Sequence, residues 1–199
     1  MKPLSFIVPF VFLLTIGCKP IIMLRYGIKD PKIETHESLL AFTEKFNLDS
    51  TQIYIFKDTV SYFQSLRDSI FKINTIGTLI FNKQGYFIDN RKTKSCQWSG
   101  CAFLDQYKQD SVYPTDSTYQ LKNLLQKIIP LSTYQQGDIS NDFDLTMISI
   151  WAKFIGKYNE RLFCLSEVAQ KHPDLKVRII YLNVDMLKDW NLRKDQMLR

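Results

Sequence analysis

Cysteine is the residue type in this sequence with the clearest capacity for chemistry, and its four copies lie in different surroundings. Cys18 ends an apolar run, Cys96 and Cys101 lie five positions apart, and Cys164 lies between apolar residues in a stretch with helical spacing. Two nearby thiols can form a disulfide, whereas a thiol among apolar neighbours packs as a small hydrophobe. We therefore predict a structural disulfide between Cys96 and Cys101, with redox chemistry at this pair as an alternative, and a buried free thiol at Cys164.

The first seventeen residues have the pattern of a secretory signal peptide. Lys2 supplies a positive charge, residues 4–16 are mostly apolar, and a small residue, Gly17, ends the segment. The apolar run covers about 13 residues, which is short of the roughly 20 that a membrane-spanning helix needs. A cleaved signal peptide over residues 1–17 is therefore the favoured interpretation.

The end of this segment, Thr15-Ile16-Gly17-Cys18, resembles the lipobox of bacterial lipoproteins. The resemblance implies cleavage before Cys18 and lipid attached to that cysteine, although Thr15 stands where the family usually has Leu. Several acyl chains on one residue would anchor a domain stably to a membrane. We expect a bacterial envelope protein facing the periplasm; an ordinary signal peptide and an uncleaved anchor are the alternatives.

The remaining residue types exclude several classes of function. The net charge of +6 is spread along the chain without a block of like charges, which argues against nucleic-acid binding. His36 and His172 have no second His or Cys at metal-ligand spacing, and the sequence contains no phosphate-binding or hydrolase motif. We therefore predict no metal, no cofactor and no catalytic residue.

Residues 18–35 show no clear period and contain Pro20 and Pro31, so we interpret them as a tether. Residues 36–199 then form a single domain.

Helix and strand signals alternate along this domain. Thr35 is placed to cap a first helix, and residues 52–56 are typical of a buried strand. Asp58 or Thr59 caps a second helix, and residues 78–88 read as a strand, a turn and a second strand. The leucine and isoleucine spacing predicts a helix over residues 117–129.

The last third of the chain gives the clearest pattern. Residues 145–151 predict a strand, residues 158–171 a helix, and residues 177–184 a second strand, which together form a parallel βαβ unit. With the earlier hairpin, this predicts an α/β sandwich in which parallel and antiparallel strands share one sheet flanked by helices.

Parts of these elements resemble thioredoxins. Residues 149–158 resemble the active-site stretch Trp-Ala-x-Trp-Cys-Gly-Pro-Cys at Trp151, Ala152 and Gly156, and Asn183-Val184-Asp185 resembles the end of the next thioredoxin strand. Residues 76–85 resemble the hairpin Ile-Pro-Thr-Leu of that family. The resemblance implies a thioredoxin-like fold. Because the hairpin here precedes the βαβ unit, that fold is either permuted or carries a different N-terminal half.

The departures from the family pattern bear on function. Ile155 and Tyr158 stand where thioredoxins have their redox cysteines, and Gly77 stands where they have a cis-proline. Disulfide exchange requires a thiolate and a resolving sulfur, so the resemblance implies a redox-inactive site that is not enzymatic. We expect Ile155 and Tyr158 to face solvent at this degenerate site.

Three functions are compatible with this sequence. The favoured one is binding of a protein or peptide along the segment 76–78, which corresponds to the substrate groove of thioredoxins. A thiol-disulfide protein using Cys96 and Cys101, and a structural or immunity-type envelope lipoprotein, are the alternatives.

Overall fold

The computed structural model describes residues 19–68, 71, 76–90, 100–135 and 142–190, with side chains from residue 23 onward. Cys18, Cys96 and the signal peptide lie outside the described residues. Within the described part of the chain, no helix combines the length and apolar content needed to cross a membrane.

A seven-stranded mixed sheet forms the centre of the fold, with the strand order β4-β3-β2-β6-β7-β1-β5. The neighbours β6, β7 and β1 are parallel, whereas β2, β3, β4 and β5 each join an adjacent strand in antiparallel orientation. The strands are β1 Ile53–Phe56, β2 Gly77–Asn82, β3 Tyr86–Ile88, β4 Thr115–Gln120, β5 Ile128–Pro130, β6 Leu145–Trp151 and β7 Val177–Asn183. The predicted α/β class with a mixed sheet is confirmed.

Helices lie along the sheet. The α-helices are α1 Lys19–Tyr26, α2 His36–Glu44, α3 Thr59–Arg67, α4 Gly100–Asp105, α5 Leu121–Leu125 and α6 Leu165–Ala169, and 3₁₀ helices span Ser50–Gln52, Lys153–Arg161 and Lys188–Trp190. Helix α2 begins where the sequence predicts, because the Thr35 hydroxyl accepts a hydrogen bond from the Ser38 backbone N–H at 3.2 Å. The Asp58 carboxylate caps α3 in the same way, through the Ser61 N–H at 2.6 Å.

Both faces of the sheet are buried, so the central strands are mostly apolar. Side chains alternate between two cores, and all seven residues of β6 are buried. Met147 and Trp151 contribute to the core under α2, α4 and α6, whereas Ile148 and Ile150 contribute to the core under α3 and α5. We call these face A and face B.

The hairpin and the βαβ unit lie side by side in this sheet. Strand β2 pairs with β6 over its whole length, from Gly77 opposite Ile150 to Asn82 opposite Leu145. The hairpin turn is closed by the Asn82 side chain, which accepts a hydrogen bond from the Tyr86 N–H at 2.9 Å. This placement is consistent with the permuted arrangement that the thioredoxin resemblance implies.

Two predicted helices differ from the structure. In the predicted helix 117–129, residues 115–120 form the edge strand β4 and only Leu121–Leu125 is helical. The prediction is wrong at residues 115–120 because this polar segment pairs with β3 in antiparallel orientation. The spacing of the leucines that follow does not reveal this pairing. In the predicted helix 158–171, Lys153–Arg161 is a 3₁₀ segment with non-helical backbone at Gly156, and α6 begins at Leu165.

The predicted tether is also wrong for most of its length. Residues 19–26 form α1, and the chain after α1 packs against the domain. The Lys29 N–H donates to the Phe154 carbonyl at 2.8 Å, and Glu34 forms a parallel bridge with Leu187. The domain therefore begins before residue 36.

Candidate functional site

The residues that resemble the thioredoxin active site, which we call the degenerate site, come together at the carboxyl end of β6. Trp151 ends this strand, and Ile155, Gly156 and Tyr158 follow in the 3₁₀ segment Lys153–Arg161. Gly77 lies next to them, because it pairs with Ile150 across β2 and β6. The site residues predicted from the sequence therefore lie together in one region of the fold.

The site is closed rather than open. Ile155 is 4% exposed and Trp151 is fully buried, so the expectation that Ile155 faces solvent is wrong. The Trp151 ring stacks on Phe42 with centroids 5.7 Å apart and meets the edge of Phe163 at 5.5 Å. A side chain at position 155 packs into this core and has almost no access to solvent, so a thiol placed there would have little access to a substrate.

Gly156 allows residues 26 and 27 to lie directly on the site. Its backbone has φ +59° and ψ −130°, a conformation that is essentially restricted to glycine. A Cβ atom at this position would collide with the carbonyl oxygens of Tyr26 and Gly27. The absence of a side chain is therefore required for this close approach.

Tyr158 is covered by the same segment. Its ring meets that of Tyr26 edge-to-face, with centroids 5.7 Å apart, and the Arg161 guanidinium lies 5.3 Å from the centre of the Tyr26 ring. Such aromatic and cation–π contacts stabilise the packed state. Tyr158 is half-buried, so the expectation that it faces solvent holds only in part.

Hydrogen bonds hold the turn after β6 in place. The Asn159 side-chain amide donates to the carbonyl oxygens of Ala152 at 2.9 Å and Gly156 at 3.0 Å. The Asp185 carboxylate accepts from the Lys153 backbone N–H at 2.6 Å and from the Asn183 amide at 2.8 Å. These groups of the turn are thus bound internally, whereas the Asn159 Oδ1 and Trp151 Nε1 atoms are buried without a hydrogen-bond partner among the described residues.

An ion pair joins the N-terminal segment to this turn. The Lys153 ammonium lies 2.6 Å from the Glu34 carboxylate, which also accepts a hydrogen bond from the Ser38 hydroxyl at 2.6 Å. Because Glu34 and Lys153 are both partly buried, this pair is less screened than a surface pair would be.

Asp185 makes the stability of this site dependent on pH. Burial raises the pKa of the Asp185 carboxyl above its ordinary value, and the hydrogen bonds from Lys153 and Asn183 only partly oppose this. The native state therefore holds the proton more tightly than the unfolded state. Stability from this group is complete below the unfolded pKa and is lost as the pH rises through the raised native pKa.

We expect Asp185→Asn to remove this loss, because the amide stays neutral while its oxygen can still accept hydrogen bonds. Urea unfolding of both proteins between pH 3.5 and 7 should show the stability of the variant improving relative to wild type as the pH rises. A stability difference that is constant with pH, or that changes in the opposite direction, would refute this assignment.

A disulfide joins two elements on face A. Cys101 in α4 is bonded to Cys164, which precedes α6, across 63 positions of the sequence with Cα atoms 6.1 Å apart. The predicted Cys96–Cys101 disulfide is therefore wrong, and so is the free thiol at Cys164. The short spacing in the sequence favours the Cys96–Cys101 pairing. The fold instead brings α4 and α6 into contact, which places Cys101 beside Cys164.

Two grooves lie on opposite faces of the sheet. The larger, which we call the amide groove, has a volume of about 580 Å³ and lies over face B between α3, β4 and α5. Phe71, Phe81 and Leu124 supply its apolar surface. Its amide side chains are Gln64, Gln120, Asn123 and Gln126.

The second groove, which we call the anchor-side groove, has a volume of about 470 Å³ and lies beside the degenerate site on face A. It is bordered by Phe42, Phe46 and Phe154 and by the segment after α1. Its charged side chains are Lys29, Asp30, Lys32, Glu34, Lys45, Lys153 and Lys157.

Among the described residues, no group of three or more His, Cys, Asp or Glu side chains is arranged to hold a metal ion. His36 lies 3.1 Å from the Asp189 carboxylate and packs edge-to-face on Tyr134. His172 lies in the turn after α6. Neither histidine has the surroundings of a ligand.

Sequence reasoning missed the residues that close the site. The predicted tether includes Tyr26, Gly27 and Glu34, so the sequence gives these residues no role in the site. Asp185 is part of the Asn183-Val184-Asp185 resemblance, which assigns it no contact. Two features of the sequence mark this segment: Glu34 follows Pro31 by three residues, and a capped helix begins directly after it. Neither feature indicates which part of the domain the segment contacts. Comparison of the chain with family models, curated proteins and solved structures finds no match.

Proposed function

We propose that this chain is a lipid-anchored, redox-inactive domain with a thioredoxin-like arrangement that binds a protein or peptide in the bacterial cell envelope. The observation that carries the proposal is the combination of a closed degenerate site with an open amide groove on the opposite face. Cys18 supplies the anchor in this account, through the lipobox resemblance.

The composition of the turn after β6 supports the proposal that it carries out no thiol exchange. Ile155 and Tyr158 carry no sulfur, and Cys101 and Cys164 are bonded to each other. We expect no insulin-reductase activity from the wild-type protein. The double change Ile155→Cys and Tyr158→Cys, which would restore the spacing of two cysteines, should also be inactive because Ile155 is buried.

The binding surface in this proposal moves away from the segment 76–78. Thr78 is 6% exposed, and the backbone of α4 approaches it so closely that a Cβ on Gly100 would collide with its side chain. Ile76 packs against the core on face A. An extended ligand would find few free side chains along this segment.

The amide groove offers what a peptide needs. Side-chain amides can donate to carbonyl oxygens and accept from N–H groups, which are the two groups that recur along any peptide backbone. Phe71 and Phe81 line the groove but are only 2% and 1% exposed, so the apolar area that a ligand side chain could contact is small. The Lys127–Asp68 ion pair, at 3.0 Å, forms one part of its wall. Lys57 also lines the groove and adds a positive charge, which favours a neutral or weakly acidic peptide.

Selection of a random peptide library on the purified protein tests this proposal. We expect saturable binders whose affinity falls at least about tenfold in Asn123→Arg, because a long charged side chain would fill the groove and leave the ligand's polar groups unpaired. Gln170→Arg is the matched control, since Gln170 is exposed at the end of α6 on face A. Binders that tolerate Asn123→Arg, or a selection that yields none, would contradict the amide groove as the binding site.

A further inference from the structure

We propose that the anchor-side groove is a membrane-facing surface whose lysines contact anionic lipid headgroups and hold the domain in one orientation. This inference rests on the proposed lipidation of Cys18, because it depends on where the acyl chains would emerge. It concerns a different face of the molecule from the amide groove.

Helix α1 connects the anchor to the groove over a short distance. Cys18 immediately precedes α1, which covers Lys19–Tyr26. A helix rises about 1.5 Å per residue, so Lys19 and Tyr26 lie about 10 Å apart along the axis of α1. The segment after α1 is fixed to the domain by the contacts of Gly27 with Gly156 and of Lys29 with Phe154. The groove therefore lies within a few residues of the proposed anchor, with no long tether between them.

The groove carries excess positive charge. Lys153 pairs with Glu34, but Lys29, Lys32, Lys45 and Lys157 are exposed and form no ion pair within the described part of the chain. Asp30 is the remaining acidic residue of the groove. Lysines close to an anionic lipid surface are attracted within about one Debye length.

An exposed apolar side chain on α1 also supports contact with a membrane surface. Leu24 is 87% exposed, and Ile33, later in the same segment, is 46% exposed. Leu24 is six positions after Cys18 in the sequence, and an exposed apolar side chain so close to the anchor can insert at the headgroup and acyl boundary. Apolar and basic side chains together, next to an acyl anchor, fit a membrane surface better than a soluble anion.

Lysine acetylation of the full-length lipidated protein in nanodiscs tests this inference. Discs of phosphatidylcholine alone are compared with discs that contain about one third phosphatidylglycerol, and modification rates are read lysine by lysine by mass spectrometry. We expect Lys29, Lys32, Lys45 and Lys157 to react at least about fivefold more slowly in the anionic discs. Lys171 and Lys176 are the internal controls, since they precede β7 at the opposite end of the parallel strands, about 20 Å away, and their rates should not change.

Charge reversal provides a second measurement. In Lys32→Glu combined with Lys157→Glu, the protection of Lys29 and Lys45 by anionic lipid should disappear, whereas Lys171→Glu combined with Lys176→Glu should leave it intact. Equal rates in both kinds of disc would overturn the inference. Slowing by dissolved glycerol phosphate or by oligoglutamate in neutral discs, without an effect of anionic lipid, would assign the groove to a soluble anion or an acidic peptide and would also overturn it.

The intact mass of the protein separates this inference from the proposed function. Acyl chains on Cys18 with unprotected groove lysines would overturn the orientation alone. A mass without acyl chains would overturn the anchor, and the membrane-facing surface with it.

Discussion

Replacing both Cys101 and Cys164 with alanine should lower the free energy of unfolding by about 4 kcal/mol, because the bond closes a loop of 63 positions and restricts the unfolded chain. The bond also joins α4 to α6, two helices that cover face A. We expect a lower denaturant midpoint, and a fall in melting temperature of about 10 °C.

Single replacements distinguish this bond from the alternative pairing. Cys101→Ala and Cys164→Ala should each lose most of this stability, whereas Cys96→Ala, the matched control, should lose little. Chymotryptic digestion without reduction separates Cys96 from Cys101 by cutting after Trp98, and it should release a fragment of Cys101 linked to one of Cys164. A fragment that links Cys96 to Cys101 would show that the pairing is wrong.

Gly156→Ala should destabilise the protein by at least about 3 kcal/mol, through two effects that add. The alanine must adopt a backbone conformation that costs about 1–3 kcal/mol for a residue with a Cβ, and its methyl group collides with the carbonyl oxygens of Tyr26 and Gly27. Because the collision is with backbone atoms, it is relieved only if residues 26 and 27 move away from the turn.

Gly27→Ala is the matched control for this change. Gly27 also has a positive φ, +62°, but nothing lies within 4 Å of a Cβ at this position. This variant should cost only about 1 kcal/mol, the backbone penalty alone. Urea unfolding gives both free energies, and faster hydrogen exchange at Lys29, whose N–H donates to Phe154, should be seen in Gly156→Ala and not in Gly27→Ala. Equal losses in the two variants would mean that the contact is not made.

Much of the fold could be predicted from local signals. The apolar runs in β6 and β7 have the length and composition of strands buried on both faces, and Thr35 and Asp58 cap the helices that follow them. Edge elements were harder to predict. Residues 115–120 are a strand because β3 needs a partner, and such pairing between distant segments leaves no period in the sequence.

The position of the candidate site could be predicted from the sequence, but whether the site is open to solvent could not. Trp151 and Gly156 indicate the turn after β6, yet Ile155 is buried in a core that includes Leu39, more than a hundred positions away. The Cys101–Cys164 bond depends in the same way on the contact of α4 with α6. Spacing along the chain favours near neighbours, whereas the sheet brings distant residues together.

The reactivity of a thiol at position 155 tests most directly whether the degenerate site is closed. Ile155→Cys places a small apolar residue in the same core, and Val60→Cys places a thiol on α3 at a position that is 64% exposed. Alkylation with iodoacetamide, followed peptide by peptide, should be at least about a hundredfold slower at position 155 than at position 60 in the native protein, because the buried thiol reacts only after local opening. A thiol at position 155 that reacts as fast as the control, or faster, would mean that the site is open and would contradict the account.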